Sequence, residues 1–194
     1  MSDFWSNPNF EPKRAFRFLI EFTPGAGGDL DGGANSLQFL AKSVDRPSYT
    51  VSSNPHAFFN HTFYYPGKVT WNTISLTLVD AVTPNASDIF MKYLGNIGYN
   101  NPTNLATATA KTITKQTATE AMGRLLIKEM GTGANGEAEP KGEWSLNNAF
   151  ITEVNFGEHS YDSEDMIDVQ LTIQYDWAQY QKGTYVASGA AGTD

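Results

Sequence analysis

Residues 166–177, MIDVQLTIQYDW, alternate with a period of two. Ile167, Val169, Leu171, Ile173, Tyr175 and Trp177 are apolar or aromatic, while Asp168, Gln170, Thr172, Gln174 and Asp176 are polar. That period places the first set on one face of a strand and the second on the other. The first set is therefore the candidate core of a closing strand. RAFRFLIEF (14–22) gives a similar signal, with Phe16, Phe18, Ile20 and Phe22 on one face. SLQFLAKSV (36–44) reads as a second strand, broken at DRPSY (45–49) because Pro47 cannot donate to a ladder. Residues 50–60 read as irregular, or as part of an exposed hairpin arm. HTFYYPGKVTWNTISLTLVD (61–80) reads as two strands around a Pro66-Gly67 turn. The second of these has Ile74, Leu76 and Leu78 inward and Thr73, Ser75 and Thr77 outward.

One stretch has helical spacing. In TPNASDIFMKYLGNIG (83–98), Ile89, Phe90, Tyr93, Leu94 and Ile97 share a face, Asn85 or Ser87 can cap the start, and Gly98 can end it. The Thr/Ala/Asn-rich 99–122 reads as a long connection with a short helix near its end. GRLLIKEM (123–130) returns to strand, and GTGANGEAEPKG (131–142) is a loop. EWSLNNAFITEVNF (143–156), the loop GEHSYDSED (157–165) and the strand 166–177 then form a closing hairpin. Seven or eight strands with one helix predict a mainly β chain, an antiparallel β-sandwich or barrel with one flanking α-helix. The expected organisation is one domain over 1–194, with 183–194 as a flexible tail.

Composition narrows the chemistry. Of 194 residues, 13% are aromatic and 18% charged, as in a folded, strand-rich protein, and the absence of cysteine excludes disulfides and thiolate catalysis. The net charge of −8 is concentrated: residues 142–181 hold eight acids (Glu143, Glu153, Glu158, Asp162, Glu164, Asp165, Asp168, Asp176) and no Lys or Arg. A protein that grips phosphates shows the opposite sign. The glycine-rich 25–33 lacks the Lys-Ser/Thr of a P-loop. His56, His61 and His159 lack zinc-ligand spacing, the acidic loops lack calcium-loop spacing, and there is no G-x-S-x-G nucleophile elbow. No catalytic residue, cofactor or metal site is expected. The N-terminus lacks an export-signal pattern and no apolar run approaches 18 residues, so the expected site of synthesis and assembly is the cytoplasm.

In their order along the chain, these segments resemble the tail tube proteins of contractile-tailed bacteriophages. KGEWSLNNAFITEVNFGEHSYDSEDMIDVQLTIQYDWAQY (141–180) carries most of the likeness, closing on Tyr175 and Trp177 around Asp176. RAFRFLIEF, the Pro-broken second strand and WNTISLTLVDA before the helix follow the same plan. The loop 25–33, residues 99–122 and the tail after 183 look longer than in the leanest members.

The resemblance implies a structural virion protein of the tail. Hexameric rings, their inner sheets joined in one continuous β-barrel, would stack into a hollow tube through which DNA passes without specific binding when the surrounding sheath contracts. Implied partners are further copies of this chain, the tail sheath protein, and baseplate and terminator proteins; neither a membrane nor a cofactor is implied. Alternatives are a tube initiator or junction protein at the baseplate, the inner tube of a phage-derived injection device, and a monomeric β-sandwich binding module. Within the tube reading, Asp168, Gln170, Thr172, Gln174 and Asp176 are candidate lumen-lining residues, forming a hydrated wall that repels DNA. The loops 45–60 and 99–122 are long enough to reach a neighbouring subunit.

Overall fold

The computed structural model describes residues 13–23, 37–100, 112–133, 137–162 and 164–183. The expectations for 24–36, for 101–111 and for the tail from 184 fall outside them. Ten strands occur among the described residues: β1 Phe18–Thr23, β2 Ala41–Val44, β3 Tyr49–Phe58, β4 His61–Trp71, β5 Ile74–Val79, β6 Arg124–Thr132, β7 Ala138–Asn147, β8 Phe150–Asn155, β9 Asp168–Gln174 and β10 Trp177–Lys182. The helices are α1, Ala86–Asn96, and α2, Lys115–Met122. Two four-stranded antiparallel sheets, β1-β6-β7-β10 and β2-β5-β9-β8, form a sandwich, and β3 and β4 make a separate two-stranded hairpin.

Alternation builds the core between the sheets. Ile74, Leu76 and Leu78 of β5 lie opposite Ile173, Leu171 and Val169 of β9, and all six are buried. Ile20 and Phe22 of β1 face Ile127 and Leu125 of β6 in the other sheet and complete the same core. Phe16 lies ahead of β1 and is exposed, so the first strand is shorter than its apolar period indicated.

α1 begins where expected. The Asn85 side chain accepts from the Asp88 N–H at 2.8 Å, and Asp80 accepts from the Ala86 N–H at 3.0 Å and the Ser87 hydroxyl at 2.6 Å. Ile89, Phe90, Tyr93 and Ile97 are buried, and Gly98 follows the helix at φ 112°. A capping box between Thr114 and Thr117 starts α2. The flank thus carries two helices, the second being the short one expected near the end of 99–122. The Tyr93 hydroxyl joins them to the sandwich, donating to the Ala118 carbonyl at 3.5 Å and accepting from the Ile151 N–H at 3.3 Å. Burial pushes the Tyr93 phenol above its ordinary pKa, so it keeps its proton.

Four readings of the sequence are corrected. Residues 37–40 form a 3-10 turn with Leu37 buried, and only 41–44 are strand. Pro66-Gly67 lies within β4 rather than at a turn. Between the pairs Val51↔Val69 and Ser53↔Pro66, β4 carries one extra residue, a bulge. A Cβ on Gly67 would sit 2.3 Å from the Ser52 hydroxyl and 3.2 Å from the Ser52 carbonyl oxygen, so glycine lets the bulged chain pass close to β3. The stretch 143–156 divides at Asn148, φ 54°, into β7 and β8 of different sheets. The stretch 166–177 is likewise not one strand: β9 ends at Gln174, and Trp177 opens β10 in the opposite sheet, 42% exposed rather than in the core.

Candidate assembly surfaces

The outer face of β2-β5-β9-β8 is an ordered polar surface. Cross-strand partners point the same way, so the register defines two rows across it. One row runs Ser43, Thr77, Gln170, Asn155, and the other runs Ser75, Thr172, Glu153. Hydroxyl and amide side chains dominate both, with Glu153 the one charge. Gln170 and Thr172 therefore lie on an open, hydrated, mostly uncharged face. Gln174 is half-buried, and its amide donates to the Tyr175 carbonyl at 3.2 Å.

The two acids differ from the sequence picture of carboxylates without bases. Lys42 of β2 reaches Asp168 Oδ2 at 2.6 Å. Asp176 lies in the bend after β9, where Lys115 of α2 contacts both its oxygens at 2.8 and 2.6 Å and the Asn148 amide donates at 2.7 Å. The Lys115 hydrogen bonds, with help from Asn148, hold the Asp176 carboxyl below the usual carboxylate range. Both lysines are distant in sequence, and no local pattern announces either pairing.

The second surface is the β3–β4 hairpin. Its ten- and eleven-residue strands pair with each other along their length and, among the described residues, join neither four-stranded sheet. At about 3.3 Å per residue such an arm extends roughly 30 Å. Every residue of β3 is exposed, and Phe59 at the tip is 91% exposed. Tyr49, Phe58, Phe63, Tyr64, Tyr65 and Val69 also face solvent. An isolated two-stranded ribbon is marginal in water, and an apolar patch of this kind marks an interaction site. Of the two sequence readings for 50–60, the hairpin arm is the one observed.

The root of the arm is anchored on two sides. The Tyr49 ring packs edge-on to Trp71 at 5.3 Å, and Trp71 contacts the buried Tyr175 at 5.9 Å. In the connection before β3, Arg46 Nη2 lies 2.8 Å from Glu129 of β6, which also pairs with Lys13 and accepts from the Tyr180 hydroxyl at 3.3 Å. Gly142 gives Tyr180 its room, since a Cβ there would lie 2.1 Å from the hydroxyl oxygen. Burial raises the Glu129 carboxyl, but the Lys13 hydrogen bond and the Arg46 and Lys13 charges outweigh it and hold the group below its ordinary value.

A carboxyl lowered in the folded state contributes stability above its unfolded pKa and loses it as pH falls through the folded value. The melting-temperature advantage of wild type over Glu129→Gln is therefore expected to be full at pH 7 and to shrink below about pH 4.5, the ordinary Glu value. Melting curves between pH 7 and 3 measure it. A difference independent of pH would mean that the ion cluster does not anchor the root.

Among the described residues, no group of three or more His, Cys, Asp or Glu side chains is placed to hold a metal ion. No helix among them is long and apolar enough to cross a membrane.

No protein-family model matches the chain, and no curated protein matches it by sequence. Solved structures do. A chain of the anti-feeding prophage tube-terminating cap superposes with a TM-score of 0.60 at 16% identity, over 94% of this chain and 99% of the other. A chain of the anti-feeding prophage baseplate gives 0.57 at 13% identity, over 89% and 97%. A chain of the PVC sheath–tube complex, an extracellular contractile injection system in its extended state, gives 0.55 at 17% identity, over 88% and 92%. Over 88–94% of its length the chain shares its fold with components of contractile injection particles.

Proposed function

We propose that this protein is a structural subunit of the inner tube of a contractile injection particle, closing into hexameric rings that stack into a hollow conduit within a sheath. The observation that carries this reading is the projecting aromatic hairpin on a sandwich of the injection-particle fold. A subunit with a long unpaired arm is incomplete alone and becomes complete by handing that arm to a neighbour. A head-to-tail contact that closes by rotation gives rings, and a second contact along the axis gives a filament.

The polar sheet suits the inside of the conduit. With β2-β5-β9-β8 turned inward and its edges continued by the adjacent subunits, the edge-strand hazard disappears and the Ser/Thr/Gln rows form the wall. That wall is non-adhesive because its groups are hydrated and its acids Asp168 and Asp176 are already paired with lysines, not because it is strongly negative. Such a surface suits passage of DNA on sheath contraction, and it suits a protein cargo equally. Sheath, baseplate and terminator proteins are the partners this role requires, and the finished particle is the destination. No catalytic step is assigned to it.

Negative-stain images of the concentrated protein test the reading. Rings or hollow rods about six subunits round are expected. Isolated globules at all concentrations would favour a monomeric binding module instead.

A further inference from the structure

The arm leaves the sandwich across a fold line. β3 and β4 continue the lines of β2 and β5, because the pair Val44↔Leu76 is followed by two brackets and then by Tyr49↔Trp71. In the first bracket the Asp45 N–H donates to the Ser75 carbonyl at 2.9 Å, and the Asp45 carboxylate accepts from the Ser75 N–H at 3.0 Å. In the second, the Asn72 N–H donates to the Ser48 carbonyl at 2.9 Å and the Asn72 amide donates to the Ser48 hydroxyl at 3.0 Å. Of the residues between the brackets, Arg46, Pro47 and Thr73 belong to no strand. A few such linking residues can absorb a change of direction. The bracketed strands then swing together as one ribbon.

Arg46 sits on that line and reaches out of it. Its guanidinium crosses to Glu129 of β6, Nη2 to Oε1 at 2.8 Å, while Lys13 and the Tyr180 hydroxyl meet Oε2. These are the charged and titratable groups that face Glu129; its cross-strand neighbours, Phe18 of β1 and Gly142 of β7, add none. The Glu129 side chain is only 14% exposed, so water and salt weaken this pair less than one lying wholly on the surface. Trp71 against Tyr175 ties the ribbon at one point. A single contact permits a pivot, and the Arg46 bond to the other sheet supplies a second point that stops it.

We infer that Arg46 and Glu129 form an acid-releasable latch, which fixes the direction of the arm on a folded subunit and frees it when the carboxylate is neutralised. With Glu129 ionised the arm is held in one direction, and it meets its receiving surface without first losing the freedom of the fold line. As the pH falls through the Glu129 value, which lies below the ordinary 4.5, the Arg46 bond weakens. The Asn72 bracket contains no titratable group and keeps the two strands together. The latch acts within one subunit, whatever surface receives the arm.

The test is made on the monomer. The chain has no cysteine, so Asn60→Cys at the arm tip and Glu153→Cys on β8, both exposed, carry a specific pair of spin labels. Double electron–electron resonance at pH 7 is expected to give one narrow distance distribution in the otherwise wild-type chain, and distributions about two-fold broader with Glu129→Gln or Arg46→Met. Lys13→Met, which leaves the Arg46 bond in place, is expected to stay narrow. Between pH 7 and pH 3 the otherwise wild-type distribution broadens below about pH 4.5, while that of Glu129→Gln is broad throughout. Far-UV circular dichroism is expected to stay unchanged as the arm is freed. A narrow distribution in Glu129→Gln or Arg46→Met at pH 7 would overturn the latch, as would equal broadening by Lys13→Met. Acid broadening that persists in Glu129→Gln, or loss of the strand signal before the distribution broadens, would overturn it too. Each readout stands whether or not the chain forms tubes, so its failure is distinct from failure of the tube reading.

Discussion

Replacing residues 50–70 by a two-residue Asn-Gly turn is expected to leave a folded, soluble monomer and to abolish rings and rods at every accessible concentration. Among the described residues, none of 50–70 belongs to the buried core, and the two strands of the arm form a sheet of their own. Its removal therefore costs the sandwich little, and the Asn-Gly pair is a strong short hairpin turn. Tyr49 and Trp71 are retained so that the ring contact with Tyr175 persists. The exposed aromatics lost with the arm should make the remaining domain less prone to non-specific association. Sedimentation velocity with a thermal melt measures both halves of the result. A truncated protein that still assembles would place the polymerising contact elsewhere, and one that fails to fold would make the arm part of the core.

Leu171→Ala is expected to destabilise the fold by about 2–5 kcal/mol, whereas Thr172→Ala on the same strand should change stability by about 0.5 kcal/mol or less. Leu171 is fully buried, paired with Leu76 on one side and Val154 on the other, so truncation leaves a void between three strands. Thr172 points from the opposite face. For a domain of this size the first change lowers the melting temperature by roughly 5–15 °C. Chemical denaturation of the two variants measures the contrast. Equal costs would mean that the alternation has no inside and outside.

That contrast is legible in the sequence, and so is the helix between Asn85 and Gly98, because both depend on local period and capping. The sandwich class and the possibility of an arm were legible in the same way. Other features depended on distant partners. Leu37–Leu40 has strand-like composition but folds as a 3-10 turn that buries one leucine. Pro66-Gly67 has turn chemistry, yet pairing with β3 continues past it through a bulge. The alternation of 166–177 continues across the step from one sheet to the other, since Tyr175 is buried at the crossing while Trp177 starts a new strand. The same limit applies to the candidate lumen set. Gln170 and Thr172 lie on the open polar face, but Lys42 and Lys115, which change the character of Asp168 and Asp176, come from 126 and 61 residues away. A strand's own residues show its faces, not what other elements bring to them.

The orientation of the sheet in an assembled particle tests the central claim most directly. A cryo-EM reconstruction of the polymer should place Ser75, Thr77, Gln170 and Thr172 on the wall of a continuous channel, with β2-β5-β9-β8 extended by its neighbours into one barrel. A polymer with that face turned outward, or with no channel, would contradict it.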